Sequence, residues 1–214
     1  MDEAPSSDRG WRGSADLWLD AAYAVLITAG VDQVKVMPLA KRLGLSRTSF
    51  YWHFPDREAL LAALIQRWQA RNTANLIART ELPAATITQA VLNLFDCWIT
   101  PDLFDAKLEF AMRHWALSDP ALAAIYAATD TQRIAAICAM FTRFGFAPAQ
   151  SDIRARTLYL TQVGYISMRT AETLALRLQR IPDYVVSFTG VVPTEAEVAA
   201  FVARHAGRLP DPPS

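Results

Sequence analysis

Apolar residues recur along most of this chain three and four positions apart, the spacing that gives an α-helix one buried face. Trp18, Ala22, Val25, Leu26 and Ala29 form the earliest such face. Ser14 ahead of it can accept from free N–H groups of the first turn, and Gly30 can close the last. Two short helical pieces follow. Pro38 suits a first turn, Leu39, Ala40 and Leu43 supply a stripe, and Gly44 allows a tight turn. Ser46 then caps a piece running through Phe50 to Tyr51 or Trp52, and Pro55 ends it by disfavouring helix at Phe54. Asp56 caps a longer helix through Leu60, Leu61, Leu64, Ile65 and Trp68 toward Arg79, stopped by Pro83.

Beyond Pro83 the pattern predicts helices over about 86–99, 102–116, 119–145 with an interruption, 150–179 and 194–206. Pro101, Pro120, Pro148, Pro182 and Pro193 punctuate them. No strand alternation competes, and there is no repeat. The segment from Arg180 to Thr194, with Tyr184, Val185, Val186 and Phe188, fits no element and exceeds a usual helix–helix connection. The expected architecture is all-α: a flexible arm over 1–13, a three-helix DNA-binding head over 14–60, a helical body over 61–208 and a flexible tail over 209–214.

Composition narrows the class. An apolar share of 52% in 214 residues can fill a sizeable core. Lys plus Arg equals Asp plus Glu at 21 each, so any nucleic-acid footprint has to be local. One local asymmetry exists: between Asp32 and Asp56 there is no acidic residue, while Lys35, Lys41, Arg42 and Arg47 are basic. The only cysteines, Cys97 and Cys138, lie inside apolar helical patterns, so neither a disulfide framework nor a cysteine metal site is expected. No signal-like start and no apolar run long enough for a membrane span are present, which points to a cytoplasmic protein.

A helix, a short helix, a glycine turn and a second short helix make the plan of a helix-turn-helix unit. In such a unit the second short helix must present small polar and basic groups at its N-terminal end, because that end enters the major groove. Here it offers Ser46, Arg47, Thr48 and Ser49. Arg47 can reach a guanine or a phosphate, and Thr48 and Ser49 allow close approach. Lys41 and Arg42 would lie against the backbone and add salt-dependent affinity. Tyr51, Trp52 and His53 form a ring-rich shoulder whose polar edges can bond phosphates, while Phe50 and Phe54 pack inward. Arg57, opening the long helix, suits a further phosphate. The same plan also occurs in bundles that never touch DNA, and a basic run is often only a solvated face.

The run from Gly30-Val31-Asp32 through Leu39-Ala40-Lys41-Arg42-Leu43-Gly44-Leu45-Ser46-Arg47-Thr48-Ser49-Phe50-Tyr51-Trp52-His53-Phe54-Pro55-Asp56-Arg57-Glu58-Ala59-Leu60-Leu61 resembles the DNA-binding head of the TetR family. The resemblance covers residues 14 to about 68. It implies a helix-turn-helix over 38–43 and 46–52, with Lys41, Ser46, Arg47, Thr48, Ser49, Tyr51, Trp52, His53 and Arg57 at DNA. It also implies a homodimer that represses from a nearly palindromic double-stranded operator and is released by a small-molecule effector. Two departures stand out. Lys35, Val36 and Met37 replace the family's usual Thr or Ser and basic residue, and Thr48 stands where Gly or Ala is common.

In the body, Leu160, Gly164, Ser167, Ala171, Leu174 and Leu178 fall on one face of the expected 150–179 helix, and small residues there permit close crossing. That face, with the helix near 194–206, is the expected dimer interface; intrachain packing is the plainer alternative. Candidates for an effector pocket are Trp98, Phe104, Phe110, Met112, His114, Trp115, Tyr126, Phe141, Tyr159, Gln162 and Tyr165, which mix rings with polar tips. Most would serve equally as core. No cofactor or metal is expected. The three histidines are dispersed at 53, 114 and 205, and no phosphate loop, nucleophile elbow or HExxH spacing occurs, which argues against an enzyme. A helical dimeric adaptor that binds protein instead of DNA is the remaining alternative, separable by salt-sensitive retardation of DNA.

Overall fold

The computed structural model describes residues 13–208, so the expectations for the N-terminal arm and for the C-terminal tail lie, but for Gly13, outside the described residues. The chain forms two compact units, one ending at Arg67 and one beginning at Trp68.

The first unit holds α1 (Ala15–Ala29), a 3₁₀ turn (Val31–Gln33), α2 (Val36–Leu43), α3 (Arg47–Tyr51) and most of α4 (Arg57–Trp68). Ser14 caps α1 as expected, accepting from Leu17 N at 3.2 Å. Gly44 closes α2 with φ of 66°, and Leu45 N reaches back to Ala40 O at 3.0 Å. A side chain rarely takes that left-handed conformation, so glycine fixes where α2 ends. Trp18 and Phe50 meet edge to face at 5.2 Å, and Phe54 stacks on Phe50 at 5.6 Å. These rings, with Leu26, Leu39, Leu60 and Leu64, form the buried centre. The unit reaches past residue 60 because both ends of α4 are tied into it. Arg57 donates to backbone carbonyls of the 3₁₀ turn, and Arg67 meets Asp20 of α1 at 2.6 Å.

The second unit opens with a π-helical turn (Gln69–Thr73) leading to α5 (Ala74–Glu81). The helix expected to run straight toward Arg79 therefore contains a widened turn. Then follow α6 (Ile87–Ile99), α7 (Ala106–Ala116), α8 (Pro120–Arg143), α9 (Pro148–Ser167), α10 (Leu174–Thr189) and α11 (Glu195–His205). Nearly every residue of α6 is buried, which makes it the central helix of the unit. Among the described residues there is no strand, and no helix is long and apolar enough to cross a membrane.

Three expectations need correction. The predicted interruption in 119–145 is absent, and α8 runs unbroken. The predicted 150–179 helix is two helices. Arg169 takes φ of 51°, and Thr170 N bonds Tyr165 O at 3.1 Å, which closes α9 without a glycine to announce it. The segment that fitted no element is the second half of α10, which carries Pro182 in its interior. Leu178, Ile181, Val185 and Phe188 are all buried at helical spacing. Four such side chains contribute about 6–12 kcal/mol, against about 3 kcal/mol for an internal proline.

Candidate functional site

The head sorts its polar residues by their position around α3. Ser46 stands outside the helix in extended conformation and accepts from Ser49 N at 3.1 Å, leaving Arg47 and Thr48 to face solvent. Phe50 is fully buried, whereas Tyr51 and Trp52 are 44% and 63% exposed. Arg47 lies along the open face, donating from Nε and Nη2 to the Tyr51 hydroxyl at 3.2 and 2.9 Å. This i,i+4 pair holds the guanidinium extended over the helix with Nη1 turned to no described acceptor. Lys41 and Arg42 in the last turn of α2 are exposed as well, and His53 is half-buried. Lys41, Arg42, Ser46, Arg47, Thr48, Tyr51 and Trp52 are thus all exposed on α2, α3 and the residues that flank α3.

Two of the expected DNA-contacting residues are engaged elsewhere. Ser49 is buried, and its hydroxyl meets that of Ser46 at 3.0 Å, so it belongs to the helix cap. Arg57 gives Nε to Val34 O at 2.6 Å and Nη2 to Val31 O at 2.9 Å. Two carbonyls thereby hold Arg57 within the unit, where it fixes the approach to α2.

The expected interface stripe of the body is dispersed by the α9–α10 break. Leu160, Gly164 and Ser167 lie on α9, Ala171 in the link, and Leu174 and Leu178 on α10, with Leu178 buried in its own core. The pocket candidates divide likewise. Phe104, Met112, Trp115, Tyr126, Phe141 and Tyr159 are buried and packed, and Trp98 is half-buried. Phe110 and His114 stack in parallel at 6.4 Å toward the surface of α7, where His114 is exposed. Gln162 and Tyr165 line a narrow cleft among α6, α9 and α10.

What the sequence reading missed is a polar centre between the π turn, α7, α8 and α9. Arg133 is fully buried and pairs with the equally buried Glu109 at 2.8 Å. Glu109 also accepts from Trp68 Nε1 at 2.6 Å, from Asn72 Nδ2 at 2.9 Å and from the Tyr126 hydroxyl. Arg133 further donates to Thr73 Oγ1 at 2.9 Å and to the Tyr159 hydroxyl at 3.1 Å. The π turn itself brings Asn72 and Thr73 into the centre. Burial alone would raise the Glu109 carboxyl. The Arg133 charge, with hydrogen bonds from Arg133, Tyr126 and Asn72, outweighs it and holds the group below its ordinary value. Burial beside Glu109 pushes the Tyr126 phenol up, so it remains a donor. The signal was available: Tyr126, Thr129, Arg133, Ile137 and Met140 share one helical face, and a charge on such a face requires a buried partner.

Comparison with known proteins follows the same division. Residues 19–64 match the family described as bacterial regulatory proteins, tetR family. The tetracycline repressor protein class A from transposon 1721 of Escherichia coli is 38% identical over 61 residues, 28% of each chain. The class D repressor of Escherichia coli is 37% identical over 54 residues, 25% of each chain. The matching segment thus spans little more than a quarter of these curated relatives. Over the whole fold, Salmonella enterica GusR superposes with a TM-score of 0.62 at 19% identity, covering 83% of this chain and 95% of that one. A transcriptional regulator from Rhodococcus sp. Rha1 gives 0.56 at 18%, covering 90% and 97%. The head is thus similar to that of the tetR family, and the all-α fold is similar to those of solved transcriptional regulators.

Proposed function

We propose that this protein is a cytoplasmic transcriptional repressor that holds double-stranded operator DNA as a homodimer and lets go when its body binds a small molecule. The observation that carries the reading is the exposed face of α3. Arg47, Thr48, Tyr51 and Trp52 stand in solvent, backed by Lys41 and Arg42, while their neighbours Ser49 and Phe50 are buried. Arg47 and Thr48 read base edges, and Lys41, Arg42, Tyr51, Trp52 and His53 hold the backbone. The wording of the curated relatives' names, repressor proteins, supports the sign of regulation.

A second copy joins through α9 and α10. Ile153 and Leu160 on α9 are 62% and 57% exposed and share one helical face seven residues apart, and a groove of about 380 Å³ runs from Ile153 to Phe188. Gly164 continues that face with no atom in the way of close approach. A twofold dimer sets its reading helices about one DNA turn apart, ~34–36 Å, and so requires a nearly palindromic site. An effector releases DNA only if it binds the arrangement with the wrong separation more tightly. The test is migration of DNA from upstream of the protein's own gene, with and without added protein. Retardation that weakens as salt rises is expected; free migration of every upstream fragment, with the protein folded, contradicts the reading.

A further inference from the structure

Arg47 is exposed, yet its guanidinium is not free to present itself in any direction. Nε and Nη2 both donate to the Tyr51 hydroxyl, at 3.2 and 2.9 Å, so the edge of the planar group that carries Nε is occupied. The end-on edge, formed by Nη1 and the second hydrogen of Nη2, remains as two parallel donors. No acid lies between Asp32 and Asp56, so no carboxylate three or four positions along the helix draws that edge off.

The hydroxyl that holds Arg47 is itself braced from behind. The Tyr51 ring meets Phe50 edge to face at 5.3 Å, and Phe50 is fully buried between Trp18 and Phe54. Arg47 Cζ lies 5.4 Å from the centre of the Tyr51 ring, so the cation rests against the ring as well as its oxygen. A chain of contacts thus runs from the aromatic centre of the head through Phe50 and Tyr51 to the arginine fork. A side chain otherwise free to rotate along its whole stem is aimed before a partner arrives, and less freedom is lost when one does.

We propose that Tyr51 is a positioning residue that makes Arg47 specific for guanine: by occupying the Nε edge it presents the Nη1–Nη2 edge, which meets O6 and N7 of a guanine in the major groove. The inference rests on reading the exposed face of α3 as the DNA-reading surface, and it names the base read there. Both guanine atoms accept, whereas adenine sets a donor beside its N7 and opposes one of the two hydrogens. Cytosine offers a donor and thymine a single acceptor, so a pyrimidine leaves the fork unmet. The Tyr51 oxygen accepts from Arg47, so its own hydrogen remains for a phosphate, and the residue holds the backbone and aims the arginine at once.

The test takes a duplex selected from a random pool by the full-length protein and replaces its guanines one at a time with 7-deazaguanine, which lacks the N7 acceptor. At one position the replacement should weaken the parent roughly fivefold or more. Arg47→Ala should bind the original and replaced duplexes alike. Tyr51→Phe keeps the ring and removes only the hydroxyl; it should shrink the ratio between the two duplexes to about twofold or less. That ratio separates aiming from other roles, because a lost phosphate bond or a loosened helix weakens both duplexes equally. If Tyr51→Phe does not fold, the penalty's presence in the parent and absence in Arg47→Ala decide the guanine assignment. No sensitive guanine, a penalty that survives in Arg47→Ala, or the parent's full ratio in Tyr51→Phe overturns the proposal while DNA binding stands. Failure of the folded parent to enrich any duplex overturns both.

Discussion

The two units put their arginines to opposite uses. In the head, Arg47 lies in solvent on a short helix whose buried side is aromatic; in the body, Arg133 is sunk where no water reaches and is held by an acid, a threonine and a tyrosine. An exposed guanidinium contributes little to folding and is free to meet a partner. A buried one contributes no contact to the outside, but removing its carboxylate leaves an uncompensated charge. Function in the head should thus be separable from stability, and in the body the two should not be.

The largest expected effect breaks the body. Glu109→Leu strands Arg133 and should lower unfolding free energy by about 3–5 kcal/mol, read as the urea midpoint of tryptophan fluorescence. A loss under about 1 kcal/mol would mean that Arg133 finds water or another acid. The same pair gives a pH signature. Because the Glu109 carboxyl is held below its ordinary value in the folded chain, its contribution is complete above the ordinary carboxylate range and disappears as pH falls through the lowered value. Acid unfolding followed by circular dichroism should therefore be steeper for the parent than for Glu109→Gln.

Next in size, Arg47→Ala should cost about 1–3 kcal/mol of operator affinity and relax one base preference. Its melting temperature should stay put, since only the bonds to Tyr51 are lost. A melting shift as large as that of a core substitution would erase the contrast between the units. Ser46→Ala comes third, at about 1 kcal/mol of stability, because Ser49 N loses its capping acceptor. The smallest effect is Lys41→Gln, which should leave sequence preference intact and reduce the salt slope of DNA binding by about 1.

The head was legible in the sequence because its signals are local. Ser14, Gly44, Ser46 and Pro55 each mark a boundary within a few residues of the bond they make or prevent. The partners of Arg57 and Ser49, the Val31 and Val34 carbonyls and the Ser46 cap, are not announced by spacing because they depend on how the chain folds back. In the body the decisive facts are longer-range. Asn72 and Thr73 reach Glu109 and Arg133 only through a π turn that no spacing rule announces, and α9 closes on Arg169, where a glycine would ordinarily mark the end. Pro182 misled in the other direction, reading as a stop in a helix held by its buried stripe.

Selection of duplexes from a random pool by the full-length protein addresses the α3 face most directly. The parent should enrich a two-armed, inverted-repeat sequence with arm centres one helical turn apart, and a protein altered at both Arg47 and Thr48 to alanine should lose that enrichment while remaining folded. Identical enriched sequences from both proteins, or none from the parent, would contradict the account.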